Sequence, residues 1–188
     1  MQGLVEVGNS VLVVIDVQTR FLGKLAPVDA DQLVDRISWL VELARRVEVP
    51  IIVTEEEPEL QGSTHADVVA ALAAGHPRHV KPTFGLAASP AILAAVEASS
   101  RSTAVLVGLE TDVCVAQSAL GLAAGGWRVV AVEDAIGSPG ASHSQGLQRM
   151  HDAGIAMVGT KGLAYEWIRS VDRLGLLPER PAPAGIVL

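Results

Sequence analysis

The chain has 188 residues with 14 basic and 21 acidic side chains, a net charge of −7, and is 49% hydrophobic and 19% charged. That length fits one compact domain over residues 1–188 and excludes two large ones, while the apolar share excludes a disordered tail. No apolar stretch is long enough to span a membrane, no Lys/Arg run exceeds two, and only 3% of residues are aromatic, so membrane and nucleic acid both drop out as partners.

Met1–Glu6 lacks the basic segment and apolar core of a signal peptide, and the single cysteine cannot form an internal disulfide, so the cytoplasm is the expected compartment. Val11–Ile15 is a continuous apolar run bounded by Asn9-Ser10 and Asp16, the pattern of a strand buried on both faces. A helix over residues 29–48 follows, with Leu33, Val34, Ile37, Leu40, Val41 and Leu43 at helical spacing and Asp29 as the N-cap. Ile51–Val53 is a second strand, and residues 54–64 form a Glu-rich loop. A helix at 66–74 and a short extended piece, His79–Lys81, end at Pro82, and another helix covers 90–98.

The second half repeats the alternation: a strand at 103–107, a helix at 112–124 stopped by Gly125-Gly126, and a strand at 129–132. A helix at 142–153, a strand at 155–158 and a last helix at 161–170 follow, before a Pro-rich extended tail. Apolar strands alternating with helices predict an α/β fold, a three-layer α/β/α Rossmann-like sandwich around a mostly parallel six-stranded sheet. Little charge is available to cover such a domain at a positive mean hydropathy, which predicts a homo-oligomer.

Ligands of open parallel sheets bind beyond the carboxyl ends of the strands. Three of those ends carry reactive groups: Asp16 after the first strand, Lys81 closing the third, and Cys114 a few residues beyond Val107. Cys114 is either a buried small hydrophobe or a nucleophile. As a nucleophile in the first turn of a helix beside Lys81, its thiol would have a lowered pKa; Asp16 would carry the proton, and N–H groups of the Gly108–Cys114 turn would hold an oxyanion.

The segments Val-Ile-Asp-x-Gln (Asp16, Gln18), Lys-Pro-Thr-Phe (Lys81–Phe84) and Gly-Leu-Glu-Thr-Asp-Val-Cys-Val (Gly108–Val115) resemble the isochorismatase-like cysteine hydrolases over roughly residues 10–170. The resemblance implies a triad of Asp16 as acid/base, Lys81 as cationic partner and Cys114 as nucleophile. It also implies a cis peptide at Leu109-Glu110, with the N–H groups of Glu110 and Cys114 as the oxyanion hole. Gln18, Phe21, Phe84 and Thr111 are expected to bind the substrate, a small molecule. The nicotinamidase branch binds a metal through an Asp-x-His pair after its second strand. Here Thr54-Glu55-Glu56-Glu57-Pro58 stands there instead, so neither a metal nor any other cofactor is expected. The retained cysteine favours cleavage of a C–N bond in a small amide through a thioester. The alternatives are a vinyl-ether hydrolase using Asp16 as acid, or a binding protein that has lost turnover.

Overall fold

The computed structural model describes residues 3–188; Met1 and Gln2, part of the N-terminal segment read above, lie outside the described residues. The elements in chain order are β1 (Ser10–Ile15), α1 (Thr19–Leu22), α2 (Pro27–Arg46), β2 (Ile51–Glu56), α3 (Pro58–Gln61), α4 (Ala66–Ala71) and β3 (Arg78–Lys81). Then come α5 (Pro90–Ala98), β4 (Thr103–Leu109), α6 (Ala116–Ala124), β5 (Arg128–Gly137), α7 (Ala141–Asp152), β6 (Ala156–Val158) and α8 (Thr160–Ile168). The six strands form one sheet in the order β3-β2-β1-β4-β5-β6, and every pairing is parallel. The expected three-layer sandwich is therefore present, with a sheet that is wholly rather than mostly parallel.

Parallel strands need crossovers, and right-handed crossovers send helices to one face on one side of β1 and to the other face beyond it. Leu12 and Val14 of β1 accordingly pack with Ile37 and Leu40 of α2, Val68 of α4 and Trp167 of α8. Val11, Val13 and Ile15 pack on the opposite face with Ile92 of α5, Ala119 of α6 and Met150 of α7. Residues of β1 and β4 are buried throughout, which is why they read as unbroken apolar runs.

Several local expectations change: the tail read as extended holds a 3-10 turn over Val171–Leu176, β5 runs on to Gly137 and α4 stops at Ala71, while two further changes have plain causes. Helix α2 starts at Pro27, whose missing N–H costs nothing in the first turn, so Asp29 sits inside that turn rather than capping it. Strand β2 runs on to Glu56, three residues past its apolar segment, because Thr54, Glu55 and Glu56 pair with His79, Val80 and Lys81 of β3.

The chain reverses its winding between β1 and β4, and there the backbones come unusually close. Gly108 pairs with Ile15 at a φ of 121°, and a Cβ on it would lie 1.9 Å from the Ile15 carbonyl oxygen. Gly108→Ala is expected to destabilise the domain by about 3 kcal/mol or more, from overpacking and a forbidden backbone angle together. Gly75→Ala, at a φ of 73° with nothing within 4 Å, carries the backbone cost alone, about 1–2 kcal/mol. Urea unfolding of both variants checks this, and equal losses would remove the close approach as the cause.

Candidate active site

The reactive side chains stand at the carboxyl ends of four adjacent strands. Asp16 follows β1, Glu56 and Lys81 end β2 and β3, and Cys114 lies in a π-helical turn, Thr111–Val115, between β4 and α6. Register brings them together: Ile15 lies between Thr54 and Gly108, and Glu56 lies beside Lys81. Asp16 has a φ of 48°, a left-handed conformation that a short polar side chain tolerates better than most.

Asp16 and Lys81 are completely buried. The Lys81 Nζ lies 2.6 Å from Asp16 Oδ2, while Thr54 donates its hydroxyl to Oδ1 at 2.8 Å. The same ammonium is 3.4 Å from Glu56 Oε2 and donates to the Thr83 carbonyl at 3.0 Å. Cys114 donates its S–H to that Glu56 Oε2 at 3.4 Å. Glu56 is the member of the cluster that the sequence reading missed. Strand alternation identifies it once β2 is extended: Thr54 and Glu56 turn toward Asp16 and Lys81, and Glu55 turns away to accept both the N–H and the hydroxyl of Thr64.

Burial holds Asp16 above the usual carboxylate range, although the Lys81 charge and hydrogen bonding pull it down. At Lys81 burial acts downward, but Asp16, Cys114 and Glu56 together outweigh it and the net displacement is upward. The Cys114 thiol is pushed up, first by burial and then by the Asp16 carboxylate, and Lys81 offsets only part of this. The expectation of a lowered thiol pKa is therefore overturned. Cys114 precedes the regular helix α6, and the residue is only 2% exposed with its sulfur beside two carboxylates, so the resting thiol keeps its proton at neutral pH.

A pocket of about 340 Å³ opens onto the thiol, lined by Phe21, Lys24, Glu56, Phe84, Glu110 and Cys114, with α1 and α3 as walls. Lys24 pairs with Glu110 at 3.0 Å and lies 4.7 Å from the centre of the Phe21 ring. Phe21 and Phe84 are thus at the pocket, whereas Gln18 and Thr111 are elsewhere. The buried Gln18 carboxamide accepts the Glu56 N–H at 2.7 Å and donates to the Glu56 and Gly62 carbonyls at 2.9 and 2.5 Å, so both its polar atoms are engaged within the protein. Thr111 is buried with its hydroxyl 2.9 Å from His143 Nδ1.

The Leu109-Glu110 peptide is cis. The turn after it is held from β5 and α7: Ser138 donates to Asp112 at 2.6 Å, and Gly146 lies so close that a Cβ there would sit 2.7 Å from the Asp112 nitrogen. A larger depression of about 770 Å³, between α2 and α4, is lined by the ion-paired Arg180, Asp35 and Glu42 and by none of Asp16, Glu56, Lys81 or Cys114. Ligand atoms of Asp16, Glu56 and Cys114 lie within 4.8 Å of one another, a spacing that suits a metal ion. The Lys81 ammonium already sits against both carboxylates and would repel a divalent cation there.

The family model described as the Isochorismatase domain matches residues 10–161. The chain is similar to isochorismatase domain-containing protein 2A of Mus musculus, 30% identical over 164 residues that make up 86% of this chain and 76% of that one. Among solved structures it is similar to the MAR1 ribonuclease of Caenorhabditis elegans, with a TM-score of 0.85 at 24% identity, covering 99% of this chain and 98% of that one. It is likewise similar to the YcaC gene product of Escherichia coli, described as an octameric hydrolase of unknown specificity, with a TM-score of 0.85 at 22% identity and coverage of 94% and 90%. At those identities the two structures speak for the fold. Among the described residues, no helix is long and apolar enough to cross a membrane.

The thiol's environment sets the sign of its response. Alkylation of Cys114 by iodoacetamide is expected to rise at higher pH than for free cysteine. Lys81→Met removes a stabilising charge and should move the profile higher still; Asp16→Asn removes a repelling one and should move it lower. A native profile at or below that of free cysteine would contradict the protonated resting state.

Proposed function

The chain belongs to the isochorismatase family of hydrolases, and from this site we propose that it cleaves a C–N bond of a small amide-like substrate through a thioester on Cys114. The observation that carries the proposal is the Cys114 thiol at a pocket of about 340 Å³, backed by a buried Lys81–Asp16 pair. A thiol with a raised pKa needs a base at the moment of attack, and an Asp16 oxygen lies within 4.8 Å of Sγ. Asp16 takes the proton as sulfur bonds to the carbonyl carbon, and then delivers it to the departing amine. Its own raised pKa suits both tasks, since a proton carrier works best near the operating pH. Lys81 keeps the carboxylate oriented. The N–H groups of Glu110 and Cys114, in the turn beyond β4 at the pocket, act as the oxyanion hole.

The retained thiol at the pocket favours attack on a carbonyl over acid-catalysed cleavage of a vinyl ether, and over a binding protein without turnover. A pocket of this size on a chain of net charge −7 favours a small molecule over a polynucleotide. A reducing compartment such as the cytoplasm keeps the nucleophile in its thiol form. The reaction needs no metal, because Lys81 supplies the positive charge of the site.

Turnover of small amides is expected to survive dialysis against chelator and to leave a substrate-derived adduct on Cys114 that mass spectrometry detects. Asp16→Asn should lower the rate by about 10²-fold or more. Normal turnover in that variant, or activity lost to chelator and restored by zinc or manganese, would overturn the mechanism. The chain is also proposed to self-associate, on the strength of Val80 on edge strand β3 and Phe84 beyond it, both more than half exposed. Light scattering should give a multiple of 19.6 kDa, and a single-chain mass would refute this.

A further inference from the structure

We propose that Glu56 is a fourth catalytic group, the general base that activates water to hydrolyse the Cys114 thioester; the inference rests on the thioester reading above. Asp16 is poorly placed for that second step. It is completely buried, and its two oxygens face Thr54 and Lys81. Glu56 is the carboxylate that both contacts the sulfur, at 3.4 Å, and lines the pocket, with its side chain 12% exposed.

Direction of approach separates the two acids. The underside of Cys114 is closed by Asp16, Lys81 and the strand ends, so water reaches the acyl carbon from the pocket, the side on which Glu56 is accessible. Once the thiol is acylated its hydrogen is gone, and Glu56 Oε2 loses that donor. Among the described residues no group donates to Oε1. The carboxylate therefore has free acceptor positions for water at the stage that requires them, while Lys81 at 3.4 Å holds it in place.

Its backbone is fixed as well. Gln18 accepts the Glu56 N–H and donates to the Glu56 carbonyl, a two-point clamp that explains why this glutamine is buried rather than facing the ligand. Gln18 is thus a positioning residue for Glu56.

In the proposed step one water proton passes to Glu56 as the water oxygen bonds to the acyl carbon. The tetrahedral intermediate then collapses, the C–S bond breaks, and the sulfur takes the proton from Glu56. The products are a carboxylic acid and the original thiol, again donating to Oε2. Asp16 serves formation of the thioester and Glu56 its hydrolysis.

p-Nitrophenyl acetate isolates the second step, because its phenolate leaves without a proton. The protein is acetylated with this ester, excess reagent is removed, and loss of the acetyl group from Cys114 is followed by mass spectrometry. Glu56→Gln should still acetylate, at a rate shifted by the loss of a carboxylate beside the thiol, but once acetylated should discharge about 10²-fold more slowly than wild type, the scale of a lost general base. Hydroxylamine, a stronger nucleophile than water, should discharge both proteins at similar rates. Glu56→Asp, which keeps a carboxylate on a shorter stem, should discharge at an intermediate rate and serves alone if the glutamine variant does not fold. Equal discharge by wild type and both variants overturns the role of Glu56, as does a variant that no longer acetylates. Absence of acetyl-Cys114 in the wild type overturns the thioester reading and this inference with it.

Discussion

A lysine ammonium with no solvent exposure is the constraint around which the carboxyl edge of this sheet is arranged. Removing such a charge from water costs several kcal/mol, and the cost is tolerable only where opposite charge and hydrogen-bond acceptors surround it. Lys81 finds Asp16 at 2.6 Å, Glu56 at 3.4 Å and the Thr83 carbonyl at 3.0 Å. These partners come from β1, β2 and the segment after β3, so the ion cluster depends on the register of three strands. Losing either member of the Lys81–Asp16 pair would strand the other charge, at about 3–5 kcal/mol. The chemistry and the folding of this edge are therefore coupled.

The charge of that cluster also explains why its thiol is protonated at rest. Two carboxylates and one ammonium already carry a net charge of about −1, and ionising Cys114 into solvent would add another beside Asp16 in a buried site. In the proposed mechanism, passing the proton to Asp16 instead leaves the cluster charge unchanged while creating the nucleophile. A preformed thiolate would require a positive surplus that this site lacks. The raised position of Asp16 makes it a fitting acceptor, since burial favours its protonated form.

Strand content was legible because β1 and β4 are buried on both faces and show it as unbroken apolar runs. Asp16 and Cys114 were legible because each lies beyond the end of such a run, and Lys81 because Pro82 ends the short extended piece that carries it. Glu56 was not, since the last residues of β2 are polar and owe their strand conformation to pairing with β3, a long-range contact that local composition does not encode. Gln18 and Thr111 are the converse case. Their place beside the motifs suggested ligand contacts, but the clamp on Glu56 and the contact with His143 depend on how distant segments dock. The thiol's acidity failed for a related reason: sequence spacing identifies neighbouring charges and says little about burial, which here is the larger influence.

Floor and walls of the pocket are built to different standards of rigidity. The floor rests on strand ends, the Gln18 clamp and a turn that Ser138 holds by a hydrogen bond and that lies so near Gly146 that a Cβ there would meet its backbone. The walls come from the four-residue helices α1 and α3 and from Phe84, which is 54% exposed. Changes at Phe21, Lys24 or Leu60 alter pocket shape and charge without touching the ion cluster, apart from the Lys24–Glu110 pair that joins wall to turn. The same division is general where reactive groups are fixed on a scaffold and recognition is left to loops. Under the proposed mechanism the bond being broken is set by the sheet edge, whereas the molecule that carries the bond is selected by α1, α3 and the Phe84 segment.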